Sequence, residues 1–308
     1  MLAVSVKELQ KSYGDVRAVD GVSFEVQRGE VFALLGPNGA GKTTCIEVLE
    51  GFIHRDGGSV EVLGVDPNDR RRQRWLRTRI GIVLQELAVE PFFTVRQVLD
   101  RNAGFYAAPR GVDEVLELVG LTEKARDKVS TLSGGQQRRL DVGLGIVGNP
   151  ELLFLDEPTT GLDPAARRTT WDLIRALAAK GTTVLMSSHY MDEVEALAHR
   201  VAVLAKGRIV ASGSPASLGG RDRGMVTIRF ELPDAVEVAQ LPVTPARVDG
   251  ARVEITTEDE VAVLARLTTW AIEHGSALPG LAVTRETLED VYLALTGQGR
   301  DGLEGDAA

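Results

Sequence analysis

Short unbroken apolar runs alternate along this chain with stretches of helical period, and the alternation predicts its layout. Residues 31–35, 80–85, 152–157, 182–187 and 201–204 are nearly continuous apolar runs, the mark of strands buried on both faces of a parallel sheet. Residues 2–9, 22–26 and 59–64 alternate instead, with Val22, Phe24 and Val26 on one face, and predict a small antiparallel β layer beside that core. A helix is expected over 43–49, ended by Gly51, and further helices over 94–106 and 112–119, the latter stopped at Gly120. Ser133 is a natural N-cap for a helix carrying Leu140, Val142 and Leu144. Helices over 165–179 and 192–197 follow, and Lys206-Gly207 turns the chain into a last strand at 208–210. Strands alternating with helices place this part in the α/β class.

Near Ser212-Gly213-Ser214-Pro215 the composition shifts to small and polar residues as far as Arg221. We therefore expect a first domain over 1–213, a linker over 214–222, a small C-terminal α/β domain over 223–297 and a flexible tail over 298–308, which is acidic and glycine-rich. In the small domain Val226, Ile228 and Phe230 alternate along a strand. Asp249-Gly250 marks a hairpin, and Thr257 with Glu260 reads as a capping box for a helix bearing Val261, Leu264 and Trp270. A strand at 281–283 and a final helix over 287–295 complete it. The sequence contains no internal repeat.

The bulk properties narrow the function. A net charge of −9 argues against a nucleic-acid partner, whose affinity rests on neutralising phosphates. The lone cysteine, Cys45, excludes an internal disulfide and suits a reducing compartment. It reads as a small buried helix residue rather than a reactive thiol. No signal peptide is evident, and no run approaches the roughly 18 apolar residues of a membrane span, so a membrane role would need a partner. The basic block Arg70-Arg71-Arg72-Gln73-Arg74, with Arg77 and Arg79, reads as the solvated face of a short helix rather than an anion patch. His54, His199 and His274 have no partners at ligand spacing.

Candidate chemistry concentrates in one loop. Gly36-Pro37-Asn38-Gly39-Ala40-Gly41-Lys42-Thr43-Thr44 fits G-x-x-x-x-G-K-[ST], with a strand before it and a helix after it. Its backbone N–H groups and the helix N-terminus suit a polyphosphate, Lys42 would reach the β/γ-phosphates, and the Thr43 hydroxyl would join a Mg²⁺ shell. Asp156 and Glu157 end an apolar strand where α/β sheets bind ligands.

Gly36 to Thr44, Gln85, Leu132 to Gln136, Leu155-Asp156-Glu157 and His189 together resemble, in order, the motifs of ABC transporter ATP-binding subunits, over about residues 2–213. Gly161-Leu162-Asp163 is similar to that family's D-loop. The run from Asp156 to Pro164, and Thr287-Leu288-Glu289-Asp290-Val291-Tyr292, look more narrowly like daunorubicin-type drug exporter ATPases. The resemblance implies a P-loop ABC ATPase core: a parallel sheet, an antiparallel β subdomain, a helical subdomain over about 86–150 and a small C-terminal α/β domain. It implies ATP and Mg²⁺ as cofactors. Glu157 would be the base that takes the proton of the attacking water, and Asp156 would anchor Mg²⁺ through a water. Gln85 would touch both metal and water, and His189 would bond the γ-phosphate. Tyr13 either stacks on adenine or packs as a strand residue. Ser133, Gly134, Gly135 and Gln136 would close on the ATP of a second copy in a head-to-tail homodimer, with Asp163 nearby.

The function implied is the ATP-hydrolysing motor of an exporter for drug-like or lipid-like substrates. It would be peripheral on the cytoplasmic face of the membrane, with a separate permease docked on the helices between 94 and 119. The alternatives are a soluble ABC ATPase acting on ribosomes or DNA, or an importer ATPase. The single phosphate loop, the absence of a heptad run and the acidic charge speak against the first.

Overall fold

A computed structural model of the protein describes residues 1–83, 89, 91–218, 226–233, 236–285 and 288–296. The expectations for Leu84, Gln85, Thr287, the segment 219–225 and the tail 298–308 lie outside the described residues. The chain divides into two units, Met1–Pro215 and Ala216–Ala308.

In the first unit, β1 (Leu2–Tyr13) and β2 (Val16–Gln27) pair antiparallel across a tight turn in which Gly14 has φ 58°. β3 (Val31–Leu35) leads through the glycine loop into α1 (Lys42–Glu50), and β4 (Gly57–Val62) pairs with β1 to complete a three-stranded sheet. Next come α2 (Gln73–Arg77) and β5 (Ile80–Val83), then a helical layer of α3 (Val95–Ala103), α4 (Val112–Leu118) and α5 (Gly134–Val147). The chain re-enters the core at β6 (Leu152–Asp156) and continues through α6 (Pro164–Ala179), β7 (Thr183–Ser188), α7 (Met191–Leu197), β8 (Arg200–Ala205) and β9 (Arg208–Gly213).

These strands form a six-stranded sheet in the order β5-β6-β7-β3-β8-β9, parallel except for β9. β3, β6 and β7 are buried at every position, as their apolar runs require. Their register sets Leu35 beside Ser188 and Asp156 beside Ser187, so the carboxyl ends of the three strands open at one place. The helical layer meets the sheet closely: a Cβ on Gly81 of β5 would lie 2.1 Å from the Gly145 carbonyl of α5. Only glycine allows this approach.

Several boundaries differ from the expected ones. β1 and β2 run past Leu9 and begin before Val22, through shifts of register between Val6 and Ser12 and a left-handed Glu8 at φ 49°. These irregularities break the period-two pattern on which the expectation rested. The expected helix over 94–106 is shorter, because Thr94 is its N-cap and α3 ends at Ala103.

The second unit has β10 (Val226–Glu231), β11 (Arg247–Asp249), β12 (Arg252–Thr257), α8 (Glu260–Glu273), β13 (Ala282–Arg285) and α9 (Leu288–Thr296). Its antiparallel sheet runs β11-β12-β10-β13. Val226, Ile228 and Phe230 form its core with Val253, Ile255, Val263 and Leu267. The capping box expected of Thr257 and Glu260 is corrected here. Asp259 caps α8 by accepting the Ala262 N–H at 3.0 Å, and Thr257 accepts instead from the Asp259 N–H. Asp in the residue before the helix reaches the orphan donors directly, so Thr257 serves the turn instead.

Candidate active site

The glycine loop is shaped by neighbours that leave no room for side chains. A Cβ on Gly36 would lie 2.4 Å from the Leu204 carbonyl, and one on Gly41 2.3 Å from that of Ala18. Gly39 and Gly41 also adopt φ 77° and 102°, the left-handed region that favours glycine. Gly41 ends the loop as the N-cap of α1 and brings no capping side chain. The first N–H groups of α1 therefore remain donors for an anion.

Lys42 is buried. Its Nζ donates to the carbonyls of Gly36 (2.7 Å) and Pro37 (3.1 Å) and lies 3.4 Å from Glu157 Oε1. Burial pushes the Lys42 pKa down, while Glu157 and Asp156 pull it back up. The Thr43 hydroxyl donates to Asp156 Oδ2 at 3.0 Å, and Ser187 Oγ makes a short hydrogen bond to Asp156 Oδ1.

Glu157, just past the end of β6, sits at φ 47°, an unfavourable conformation for a side chain of its kind. Its N–H donates to Ser187 Oγ at 3.0 Å, and Thr160 Oγ1 donates to Oε2 at 3.1 Å. His189 Nδ1 stands 3.2 Å from Oε1, off the axis of a hydrogen bond. Burial works to raise the Glu157 pKa, but the charges of His189 and Lys42 outweigh it and hold the carboxyl below its ordinary value. One carboxylate thus faces one ammonium and one imidazole at the mouth of the loop. Such a set can orient a water against a phosphoryl group held by the loop.

Ser133 caps α5 in a reciprocal box with Gln136: Ser133 Oγ accepts the Gln136 N–H at 3.3 Å, and Gln136 Oε1 accepts the Ser133 N–H at 2.9 Å. Asp163 caps α6 by accepting from Ala165 and Ala166. Ser133 to Gln136 line a cavity of about 390 Å³ with Gly161 and Asp163. Among the described residues no hydrogen bond or ion pair joins Ser133–Gln136 to the loop from Gly36 to Thr44. The structure therefore brings Lys42, Thr43, Asp156, Glu157 and His189 together and leaves the signature residues on a separate surface. Gln85 lies outside the described residues. Tyr13, the last residue of β1, is half exposed, with Lys11 Nζ 5.6 Å from its ring centroid.

Residues given no role from sequence contribute to this centre. Ser187, Thr160 and Arg138 hold the two acids. Ser188 donates to the fully buried Glu193 at 2.6 Å, and Thr159 donates to the other oxygen of Glu193 at 2.8 Å. The one signal available was the hydroxyl pair Ser187-Ser188 at the end of an apolar strand. Cys45 is buried, and burial pushes its thiol up to about 12, so it is inert. His199 accepts the Val31 N–H and His274 stacks on Trp270; both are packing residues. Trp75 lies between Arg72 and Arg79, and the basic block is largely solvated.

The family model described as ABC transporter matches residues 19–160. A second model, the C-terminal domain of ABC transporter domain-containing proteins, matches residues 226–287. The chain is 40% identical over 304 residues to the Nod factor export ATP-binding protein I of Burkholderia thailandensis, covering 96% of this chain and 97% of the relative. It is 39% identical over 308 residues to the daunorubicin resistance ATP-binding protein DrrA3 of Streptomyces coeruleorubidus, covering 97% of each. Among solved structures it resembles cbiO1 of Clostridium perfringens, part of the ABC transporter complex cbiONQ, with a TM-score of 0.64 and 30% identity over 70% of this chain and 90% of that one. It likewise resembles an ATP-binding cassette in its ADP conformation, with a TM-score of 0.62 and 27% identity over 70% and 91% of the two chains. The loop, the strand-end acids and these near full-length likenesses agree, and the chain belongs to the ATP-binding subunits of ABC transporters, which bind nucleotide and hydrolyse ATP.

Proposed function

We propose that the protein is the motor of an exporter, working as a head-to-tail homodimer that moves an amphipathic small molecule, drug-like or lipid-like, through a separate membrane subunit. The catalytic half of this reading is carried by one observation: Glu157 Oε1 lies 3.4 Å from Lys42 Nζ and 3.2 Å from His189 Nδ1. Glu157 takes the proton of the attacking water. Lys42 and the loop N–H groups hold the β- and γ-phosphates, and His189 bonds the γ-phosphate and steadies the base. Gln85 is proposed to contact metal and water, and Tyr13 to stack on adenine.

Thr43 and Asp156 fit Mg²⁺. Their hydroxyl and carboxylate are hard oxygen donors already turned toward one another at 3.0 Å. When bound, the ion would neutralise charge on the phosphate oxygens.

Export is supported by the two full-length relatives, whose names speak of Nod factor export and daunorubicin resistance. Among the described residues no helix is long and apolar enough to cross a membrane. The proposed substrate path lies in a separate membrane subunit, with this chain peripheral on the cytoplasmic face. A groove of about 400 Å³ beside α3, lined by Glu50, Phe52, Arg77, Asn102 and Tyr106, suits a segment of that subunit. Phe52 is exposed there, as aromatic anchors at interfaces are. The test is reconstitution in vesicles with a candidate six-span permease. ATP-driven accumulation of an amphipathic drug supports the reading, and ATP turnover with no substrate movement in either direction overturns it.

A further inference from the structure

Arg138 lies on α5, five residues beyond the Ser133 cap, and its side chain is only 10% exposed. Its guanidinium is spread over three successive carbonyls of the catalytic segment. Nη2 donates to the carbonyl oxygens of Asp156 (3.0 Å) and Glu157 (3.3 Å), and Nε donates to that of Pro158 (2.8 Å). Nη1 donates to Asp141 at 2.9 Å, one turn along the same helix, which supplies the counter-charge. The peptide units it holds are those on either side of Glu157, the residue at φ 47°. A left-handed glutamate persists only where its surroundings over-determine it. Three directed N–H bonds from a rigid planar group provide that constraint, and a flexible ammonium does not.

We propose that Arg138 is the positioning residue for Glu157, fixing the backbone that aims its carboxylate at Lys42 and His189. It thereby ties the base to the seating of the helix whose capped end carries Ser133 to Gln136. The inference rests on the assignment of Glu157 as base, and it predicts that Arg138 acts on turnover through Glu157 alone.

The experiment is a double-mutant cycle on the full chain, with ATP hydrolysis and nucleotide binding measured for Glu157→Gln, Arg138→Met and the pair. Arg138→Met should lower kcat about 10²-fold, the loss expected of a misplaced catalytic group, and leave the KM for ATP within roughly a factor of two. In the Glu157→Gln background it should change the residual rate by less than about twofold, because the group it positions is already gone. An equal further loss in that background overturns the inference while leaving the base assignment intact. Near-normal turnover by Glu157→Gln alone removes the base assignment, and the inference with it. Should Arg138→Met fail to fold, Arg138→Lys keeps the charge without the three-way reach. It should then lower kcat at unchanged KM, and wild-type kcat in Arg138→Lys overturns the inference as well.

Discussion

Replacing Glu157 by glutamine separates one proton transfer from everything else at the site. The side chain keeps its shape, and the amide oxygen still accepts from Thr160. Lys42 keeps the Gly36 and Pro37 carbonyls, so the phosphate cradle stays intact. What is lost is the base, worth about 10²–10⁴ in rate, or about 2.7–5.5 kcal/mol of barrier. The ion pair at 3.4 Å is lost too. At an effective dielectric of about 20 its Coulomb energy is about 5 kcal/mol, offset only by the desolvation of Glu157 because Lys42 stays buried, so the variant should be less stable than the wild type at neutral pH. Because the folded carboxyl titrates below its unfolded value, this loss is present above the ordinary carboxylate range and vanishes as pH falls through the folded pKa.

Nucleotide affinity should move the other way. Removing a negative charge 3.4 Å from the phosphate-binding lysine relieves repulsion of the triphosphate, so Glu157→Gln should bind ATP at least as tightly as the wild type. Phosphate release gives turnover and titration with labelled ATP gives affinity; a melting curve guards against misfolding. A folded variant that binds ATP and still hydrolyses it within tenfold of the wild-type rate would refute the reasoning.

Three further outcomes follow from the same geometry. Gly41→Ala should abolish nucleotide binding, measured by titration, because its Cβ would stand 2.3 Å from the Ala18 carbonyl at φ 102°. Ser133→Arg should leave binding by one chain unchanged but prevent the ATP-dependent dimer of Glu157→Gln on size exclusion; a normal dimer would remove the signature helix from the interface. Burial, then the Asp156 and Glu47 charges, raise Glu50 to about 8, so the folded chain binds a proton there that the unfolded chain releases between the ordinary carboxylate range and pH 8. Wild-type stability should therefore fall across that window, and Glu50→Gln should regain about 2–5 kcal/mol at pH 8 and almost nothing at pH 4, read from denaturant melts at both pH values.

The sequence makes legible whatever depends on local pattern. Val31–Leu35 is a strand because five apolar residues in a row suit only a doubly covered position, and Gly51 ends α1 in the left-handed conformation. Ser133 and Gln136 encode their own cap three residues apart. What stays hidden depends on residues far away in the chain. β1 continues through Gln10 and Lys11 because β2 pairs with them, despite a register shift that spoils alternation. Asp259 rather than Thr257 caps α8, a choice between candidates two positions apart that only backbone geometry decides. Arg138 reads as a surface charge in a helix of helical period, since its partners are backbone carbonyls eighteen to twenty residues on.

The charges at the centre bear on the proposed pairing of two copies. Lys42 faces two carboxylates, Asp156 and Glu157, and the field of Asp156 extends to Glu47 and Glu50, both of which it helps to raise. A triphosphate entering the loop with its metal adds net negative charge beside these acids. The loop donors, Lys42, His189 and the bound metal would meet the phosphates from the loop side, leaving the outward γ-oxygens open to a further positive group. The positive N-terminus of a capped helix is the type of group such oxygens lack. α5 offers one at Ser133, beside the cavity it shares with Gly161 and Asp163 and, among the described residues, without a polar link to its own chain's loop. On this reading the triphosphate joins two copies because each supplies the positive end the other's site lacks. On the same reading, cleavage leaves ADP and phosphate in place, and departure of the phosphate would remove the charge that held the copies, so the pair would open once per turnover.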